Sequence, residues 1–177
     1  MHLNKITVGI ILAFSLSAVA LKNDSKQAIH INAVKQLLNL EENITIFTKN
    51  IIIKQGSIDI RANKVIVTQT NNNTKKIILE AYGTPVTFYQ LQENGKAIQG
   101  HSNSIRYEME KERIILTGNA YLEQLDNSIR GDKITYIIKT QQIEAFSNIG
   151  KRVTTILLPS QLQEKFPKMN NKNNHIN

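Results

Sequence analysis

Five carboxylates stand at alternating positions among branched aliphatics: Asp59, Glu80, Glu108, Glu123 and Glu144. Two such groups could perform glycoside hydrolysis if they faced one groove about 5 to 10 Å apart. Nothing in their spacing brings a pair together, and a charge that alternates with isoleucine ordinarily marks the solvated face of a sheet. The histidines add little. His30 sits between Ile29 and Ile31 on the opposite face, His101 follows Gly100, and His175 lies in an Asn- and Lys-rich end. No HExxH pair or His/Asp cluster accompanies them, so the usual zinc patterns are missing. There is no GxSxG elbow for a serine nucleophile. The chain has no cysteine, which removes thiolate catalysis, thiolate metal sites and disulfides. No cofactor is implied, and the residues left to carry function are apolar.

Charge narrows the partner. The 177 residues carry a formal charge of +8, which suits an anionic partner such as a phosphorylated lipid or a membrane surface. Nucleic acid fits poorly. Arg61, Lys64, Arg106, Arg130, Lys133, Lys139, Lys151 and Arg152 are scattered, tryptophan is missing, and no aromatic ladder offers itself for base stacking. The N-terminus supplies a compartment. His2 and Lys5 precede an apolar stretch from Ile6 to Leu16, and Ala18-Val19-Ala20 supplies small residues for a cleavage site. Residues 1–20 are therefore expected to be a signal peptide, removed on export to the periplasm. The apolar stretch is shorter than the roughly 20 residues a bilayer-spanning helix needs.

Period-two alternation dominates the remainder, as in Ile58-Asp59-Ile60-Arg61-Ala62 and Ile105-Arg106-Tyr107-Glu108-Met109. Isoleucine, valine and threonine fill these runs, as a pleated surface favours. Only Gln36 to Glu41 could equally turn as a helix. Turn signals recur at Glu42-Asn43, Gln55-Gly56, Asn71-Asn72-Asn73, Glu93-Asn94-Gly95, Lys111-Glu112 and Asp126-Asn127. Asn94-Gly95 is the strongest, since both residues tolerate positive φ. The chain also repeats. Thr48-Lys49-Asn50 returns as Thr117-Gly118-Asn119, and Ile60-Arg61-Ala62-Asn63-Lys64-Val65 as Ile129-Arg130-Gly131-Asp132-Lys133-Ile134, each pair 69 residues apart, as 48 and 117 show. Each copy is a strand that reaches a small residue and turns a corner, and stacked copies must bury one another's apolar faces. The expected fold is all-β: a single antiparallel roll or sandwich over residues 21–160, followed by a disordered polar tail at 161–177.

Rolled up, such a sheet turns Ile29, Ile31, Ile58, Ile60, Val65, Val67, Phe88, Tyr107, Met109 and Leu122 inward. Branched aliphatics with one flexible methionine make an adaptable lining. It could hold acyl chains, each buried methylene contributing about 0.8 kcal/mol, or it could be a core filled by its own side chains.

Specific residues favour the first. His30-Ile31, Thr48-Lys49-Asn50, Tyr82-Gly83-Thr84-Pro85, Thr87-Phe88-Tyr89-Gln90 and Gly100-His101 stand in a recognisable order. So do Leu116-Thr117-Gly118-Asn119-Ala120-Tyr121-Leu122, Gly131-Asp132-Lys133-Ile134-Thr135-Tyr136 and Gly150-Lys151-Arg152-Val153-Thr154-Thr155. In these runs the chain resembles the OstA-like (LptA) family of lipopolysaccharide-export bridge proteins, from Ile29 to Gln163. Lys49 stands where the family usually has glycine, and Met109 where it has leucine.

The resemblance implies an antiparallel β-jellyroll, open along one side and slightly twisted, that is not an enzyme. It implies lipopolysaccharide as ligand, with acyl chains against Ile29, Ile31, Phe88, Tyr107 and Met109; the inward register adds Ile60 and Leu122. It further implies head-to-tail stacking of like folds between an inner-membrane partner, LptC, and an outer-membrane partner, LptD. The edge strands for such stacking are Ile29 to Ala33, through Ile29 and Ile31, and Val153 to Leu158, through Val153, Thr155 and Leu157. Two rivals stand beside the conduit: an enzyme acting on envelope polysaccharide through its carboxylates, and an assembly module with a dry core.

Overall fold

A computed structural model describes residues 24–69 and 76–159. The expected signal peptide, the tail at 161–177 and the Asn71-Asn72-Asn73 turn lie outside the described residues. The strands are β1 (Ile29–Asn32), β2 (Lys35–Asn39), β3 (Ile44–Gln55), β4 (Ile58–Gln69), β5 (Ile77–Leu91), β6 (Ala97–Glu108), β7 (Arg113–Gln124), β8 (Asn127–Ile137), β9 (Gln142–Phe146) and β10 (Thr154–Ile156). Short 3-10 turns cover Asp24–Lys26 and Met109–Lys111. The stretch that could have been a helix, from Gln36, is strand β2. All ten strands belong to one antiparallel sheet in the order β1-β3-β4-β5-β6-β7-β8-β10, with β2 alongside β3 and β9 alongside β8.

Each of the five ladders that join β3 through β8 is interrupted once. The register shifts between Thr48 and Ile51, Arg61 and Lys64, Tyr82 and Val86, His101 and Ser104, and Thr117 and Ala120. A bulge bends its strand and strengthens the local twist, and successive bulges here sit side by side, so the whole sheet folds along one line into two leaves. The first leaf holds β1, the C-terminal halves of β3, β5 and β7, the N-terminal halves of β4, β6 and β8, and β10. The second holds β2, the complementary halves, and β9. Repeat and geometry coincide at the corners. Gly118 (φ 77) and Asn119 (φ 51) turn β7, and their counterparts Lys49 (φ 70) and Asn50 (φ 49) turn β3 through the same left-handed conformation. At Gly118 the requirement is steric as well, because a Cβ would lie 2.8 Å from Asn103 Nδ2.

Inward side chains from both leaves interdigitate. Ile53, Ile60, Val65, Leu79, Phe88, Ile98, Ile105, Tyr107, Ile114, Leu116, Leu122, Ile134 and Tyr136 are all buried in one cluster. Full burial of a side chain of this size contributes about 1.5–3 kcal/mol, which lets the fold stand without disulfides. Among the described residues the sheet does not close on itself: β1 and β2 pair only with β3, and β9 and β10 only with β8.

Candidate functional site

The ten residues read from the alternation as a lining all reach the interior. They divide into two groups there. Ile60 is 0 % exposed, Tyr107 and Leu122 1 % and Phe88 2 %, whereas Ile29, Ile31 and Met109 are half-buried and pack against the core from its margin. The interior is thus packed by its own side chains rather than standing open as a groove. Phe88 from the first leaf meets Tyr136 from the second with ring centroids 6.2 Å apart, a tilted arrangement that suits the quadrupoles of both rings.

The two leaves are continuous at the corner but meet differently at their far ends, where the hairpin tips come together. There the contacts are polar. Tyr107 donates its hydroxyl to Gln55 Oε1 at 2.9 Å. Tyr136 donates to Gln90 Oε1 at 3.1 Å and accepts from Gln92 Nε2 at 2.9 Å. Gln124 donates to Gln92 Oε1 along the first leaf. Gln55, Gln90 and Gln92 are buried, at 1–4 % exposure, and each is satisfied, as buried amides must be to avoid a large desolvation cost. Burial pushes the Tyr107 phenol well above its ordinary value, helped by the negative charges of Glu112 and Asp24, so it remains a donor.

This seam went unnoticed in the sequence, although a signal existed. Gln55 continues the inward phase of Ile51 and Ile53, and Gln90 that of Val86 and Phe88. An inward register that ends on glutamine means that the apolar layer gives way to a hydrogen-bonded rim.

The carboxylates face outward, where Asp59, Glu80 and Glu108 pair with cations and Glu123 accepts from Gln99 and Tyr121. Arg106 links Glu80 at 2.6 Å to Glu108 at 3.0 Å, and Arg113 and Lys111 also reach Glu108. Burial alone would raise the Glu108 carboxyl, but hydrogen bonds from Arg106 and Arg113 outweigh it and hold the group below its ordinary value. Asp59 pairs with Lys54 and Arg61. Glu80 and Glu144 share one cross-strand row through Arg106, Ile115 and Thr135. Four strand spacings of about 4.8 Å separate them, roughly 19 Å in all, and Glu123 lies on the other leaf. His101 stacks on Tyr121 at 5.0 Å, and the Arg130 guanidinium covers the same ring at 4.5 Å. His30 is exposed and stands opposite Lys54. Among the described residues no three metal-ligating side chains converge.

The last strand is shorter than the expected Val153 to Leu158, since β10 covers only Thr154–Ile156. Ile29 and Ile31 lie on β1 and Thr155 on β10, while Val153 and Leu157 flank β10 without joining its ladder. Apolar side chains stay exposed along both margins, among them Leu37, Leu38 and Leu40 at one and Val153, Ile156 and Leu157 at the other. Exposed apolar groups beside unpaired backbone are the usual mark of a surface that binds another chain.

Known proteins are similar to this chain in sequence and in fold. Residues 30–142 match the family model described as LptA/(LptD N-terminal domain) LPS transport protein. The lipopolysaccharide export system protein LptA of Escherichia coli K12 is 48 % identical over 165 residues, covering 93 % of this chain and 89 % of that protein. Its counterpart in Haemophilus influenzae KW20 is 48 % identical over 151 residues, or 85 % of this chain and 88 % of that one. The crystal structure of LptH, described as the LptA-homologous periplasmic component of the lipopolysaccharide transport device of Pseudomonas aeruginosa, superposes with a TM-score of 0.70. It is 22 % identical and covers 77 % of this chain and 99 % of that one, a likeness of fold. With the family model spanning most of the two-leaved sheet and near-half identity running along nine-tenths of the chain, this protein belongs to the LptA/(LptD N-terminal domain) family of lipopolysaccharide transport proteins.

Proposed function

We propose that this chain is a non-enzymatic periplasmic carrier that holds the acyl chains of lipopolysaccharide between its two leaves and passes them along a row of like folds. Ile60, Phe88, Tyr107 and Leu122 make the floor of the acyl site, and Ile29, Ile31 and Met109 its margin. The observation that carries the reading is the interior itself in a member of a lipopolysaccharide transport family: an apolar layer bounded on one side by exchangeable side-chain hydrogen bonds instead of a ladder. Acyl chains inserted there exchange one set of apolar contacts for another of similar worth. Lysine and arginine on the outside stay within reach of the lipid's phosphates at the rim.

Assembly follows from the sheet's margins. The free edges of β1/β2 and of β9/β10 are different surfaces, so pairing one with the other propagates head to tail. LptC at the inner membrane and LptD at the outer membrane take the terminal positions of such a row, and the leader at residues 1–20 accounts for delivery to the periplasm. Photocrosslinking tests the core of this reading. A crosslinker at Phe88 or Tyr107 should capture purified lipopolysaccharide, and one at the outward Thr87 or Arg106 should not. Capture from the outward positions with none from the inward pair would overturn it.

A further inference from the structure

The turn at Asp24–Lys26 has partners on both leaves. Asp24 accepts hydrogen bonds from the Ser57 amide at 2.7 Å, the Ser57 hydroxyl at 2.7 Å and Gln90 Nε2 at 2.8 Å, all at the tips of the first leaf. One residue on, the Ser25 hydroxyl donates to Glu112 Oε1 at 2.6 Å, in the β6–β7 turn that ends the second leaf. Gln55 fastens the same stretch by donating to the carbonyls of Ser25 at 3.3 Å and Gln27 at 3.1 Å, while its own oxygen accepts from Tyr107. The fit is close. A Cβ on Gly56 would lie 2.1 Å from Asp24 Oδ1, so only glycine lets the β3–β4 turn receive that carboxylate.

None of residues 24–27 belongs to the apolar core. The turn's attachments are polar and lie at the tips, across the seam from which the leaves would part. A hollow of about 200 Å³ opens beside it, lined by Asp24, Gln90, Gln92, Glu112, Tyr136 and Gln141, among others, so that tips of both leaves share its wall.

We propose that the Asp24–Gln27 stretch is a removable bolt across the seam, and that the seam is the port through which an acylated, sugar-headed amphiphile enters the interior. The inference rests on the carrier reading above and adds where the ligand enters and what stands in its way. The direct hydrogen bonds between the tips run side chain to side chain, through Gln55, Gln90, Gln92, Tyr107 and Tyr136 and from Asn94 to Gln141, so parting the tips breaks no rung of the sheet. Parting exposes those same amides and phenols at the rim. Sugar hydroxyls and phosphate oxygens of a headgroup can take over their hydrogen bonds, so the polar groups are not left unsatisfied in the open form. The acyl chains then occupy the space between the leaves. Withdrawing the bolt comes first, because while Asp24 is bound to Ser57 and Ser25 to Glu112 the two sets of tips are held together.

A chain without cysteine makes the test clean. In the exported full-length protein, Ser25→Cys with Glu112→Cys is joined by a short bis-maleimide, or each thiol is capped separately with N-ethylmaleimide. Uptake of fluorescently labelled purified lipopolysaccharide is followed by anisotropy. The bridged form should associate about tenfold more slowly than the capped form, and Asp24→Asn combined with Ser25→Ala should associate several-fold faster than the unaltered chain. Equal rates for bridged and capped protein would overturn the bolt while leaving the carrier reading intact. If neither the capped nor the unaltered protein takes up any lipopolysaccharide, the carrier reading falls and the bolt with it. Should the unbolted variant lose its β-sheet circular dichroism, the bridged and capped forms decide the matter alone.

Discussion

Removing the hydrogen bond between Tyr107 and Gln55 from both sides at once should cost less than the sum of removing each side alone. The bond is 2.9 Å long and both residues are 1 % exposed. Tyr107→Phe deletes the donor and strands Gln55 Oε1 in a buried site, a loss of about 1–3 kcal/mol. Gln55→Leu strands the Tyr107 hydroxyl and frees the carbonyls of Ser25 and Gln27 from their donor, a loss of similar size. In the double variant the phenyl and leucyl groups face each other and the stranded pair is gone. The two losses should therefore not add, and a double-mutant cycle should return a coupling of about 1–2 kcal/mol. Urea titrations at pH 7 give the free energies, and thermal midpoints give a second measure at about 2–4 °C per kcal/mol for a domain of this size. Additivity to within about 0.3 kcal/mol would show that the two side chains are independent, and the seam would lose its main physical support.

The corners invite a reciprocal exchange. Lys49 adopts φ 70 where its repeat partner Gly118 adopts φ 77, so Lys49→Gly should raise stability by about 1 kcal/mol, whereas Gly118→Ala should lower it by more because of Asn103; urea midpoints read both. Glu108 sets an acid limit. Its carboxyl titrates below its ordinary value in the fold, so its stabilising contribution is complete above the unfolded value near 4.5 and disappears as pH falls through the lowered one. Glu108→Gln should be less stable than the unaltered protein at pH 7, with the gap closing below pH 4; a constant gap in urea midpoints would contradict the assignment. At the assembly edge, Thr155→Pro should abolish concentration-dependent association in sedimentation velocity and leave monomer circular dichroism unchanged, since proline donates no strand hydrogen bond. Association that persists would move the interface elsewhere.

Much of this architecture is written in residue types. Alternation put Ile58, Ile60, Phe88, Tyr107 and Leu122 on one face, and the 69-residue repeat placed equivalent corners at Lys49-Asn50 and Gly118-Asn119. Positions that look alike locally were legible because a strand's period is two and these two corners turn through left-handed residues. What escaped was whatever depends on two distant tips meeting. Gln55 and Tyr107 carry no mutual signal in one dimension, and the isolated Asp24 has no periodicity at all. The same holds for occupancy of the interior. Alternation says which side chains face inward, but how tightly opposing leaves close on them is settled by volumes and by the hydrogen bonds at the rim.

Sequence separation has a bearing on the order in which this molecule comes together. From β3 to β8 every rung joins strands that are neighbours along the chain, so a propagating meander forms from local contacts and short loops. Tyr107 must find Gln55 across 52 positions, and Gln90 must find Asp24 across 66. Such encounters reward the chain only after the meander has brought the ends close. What folds last on this account is also what opens first, so the tips can part while the meander stays paired.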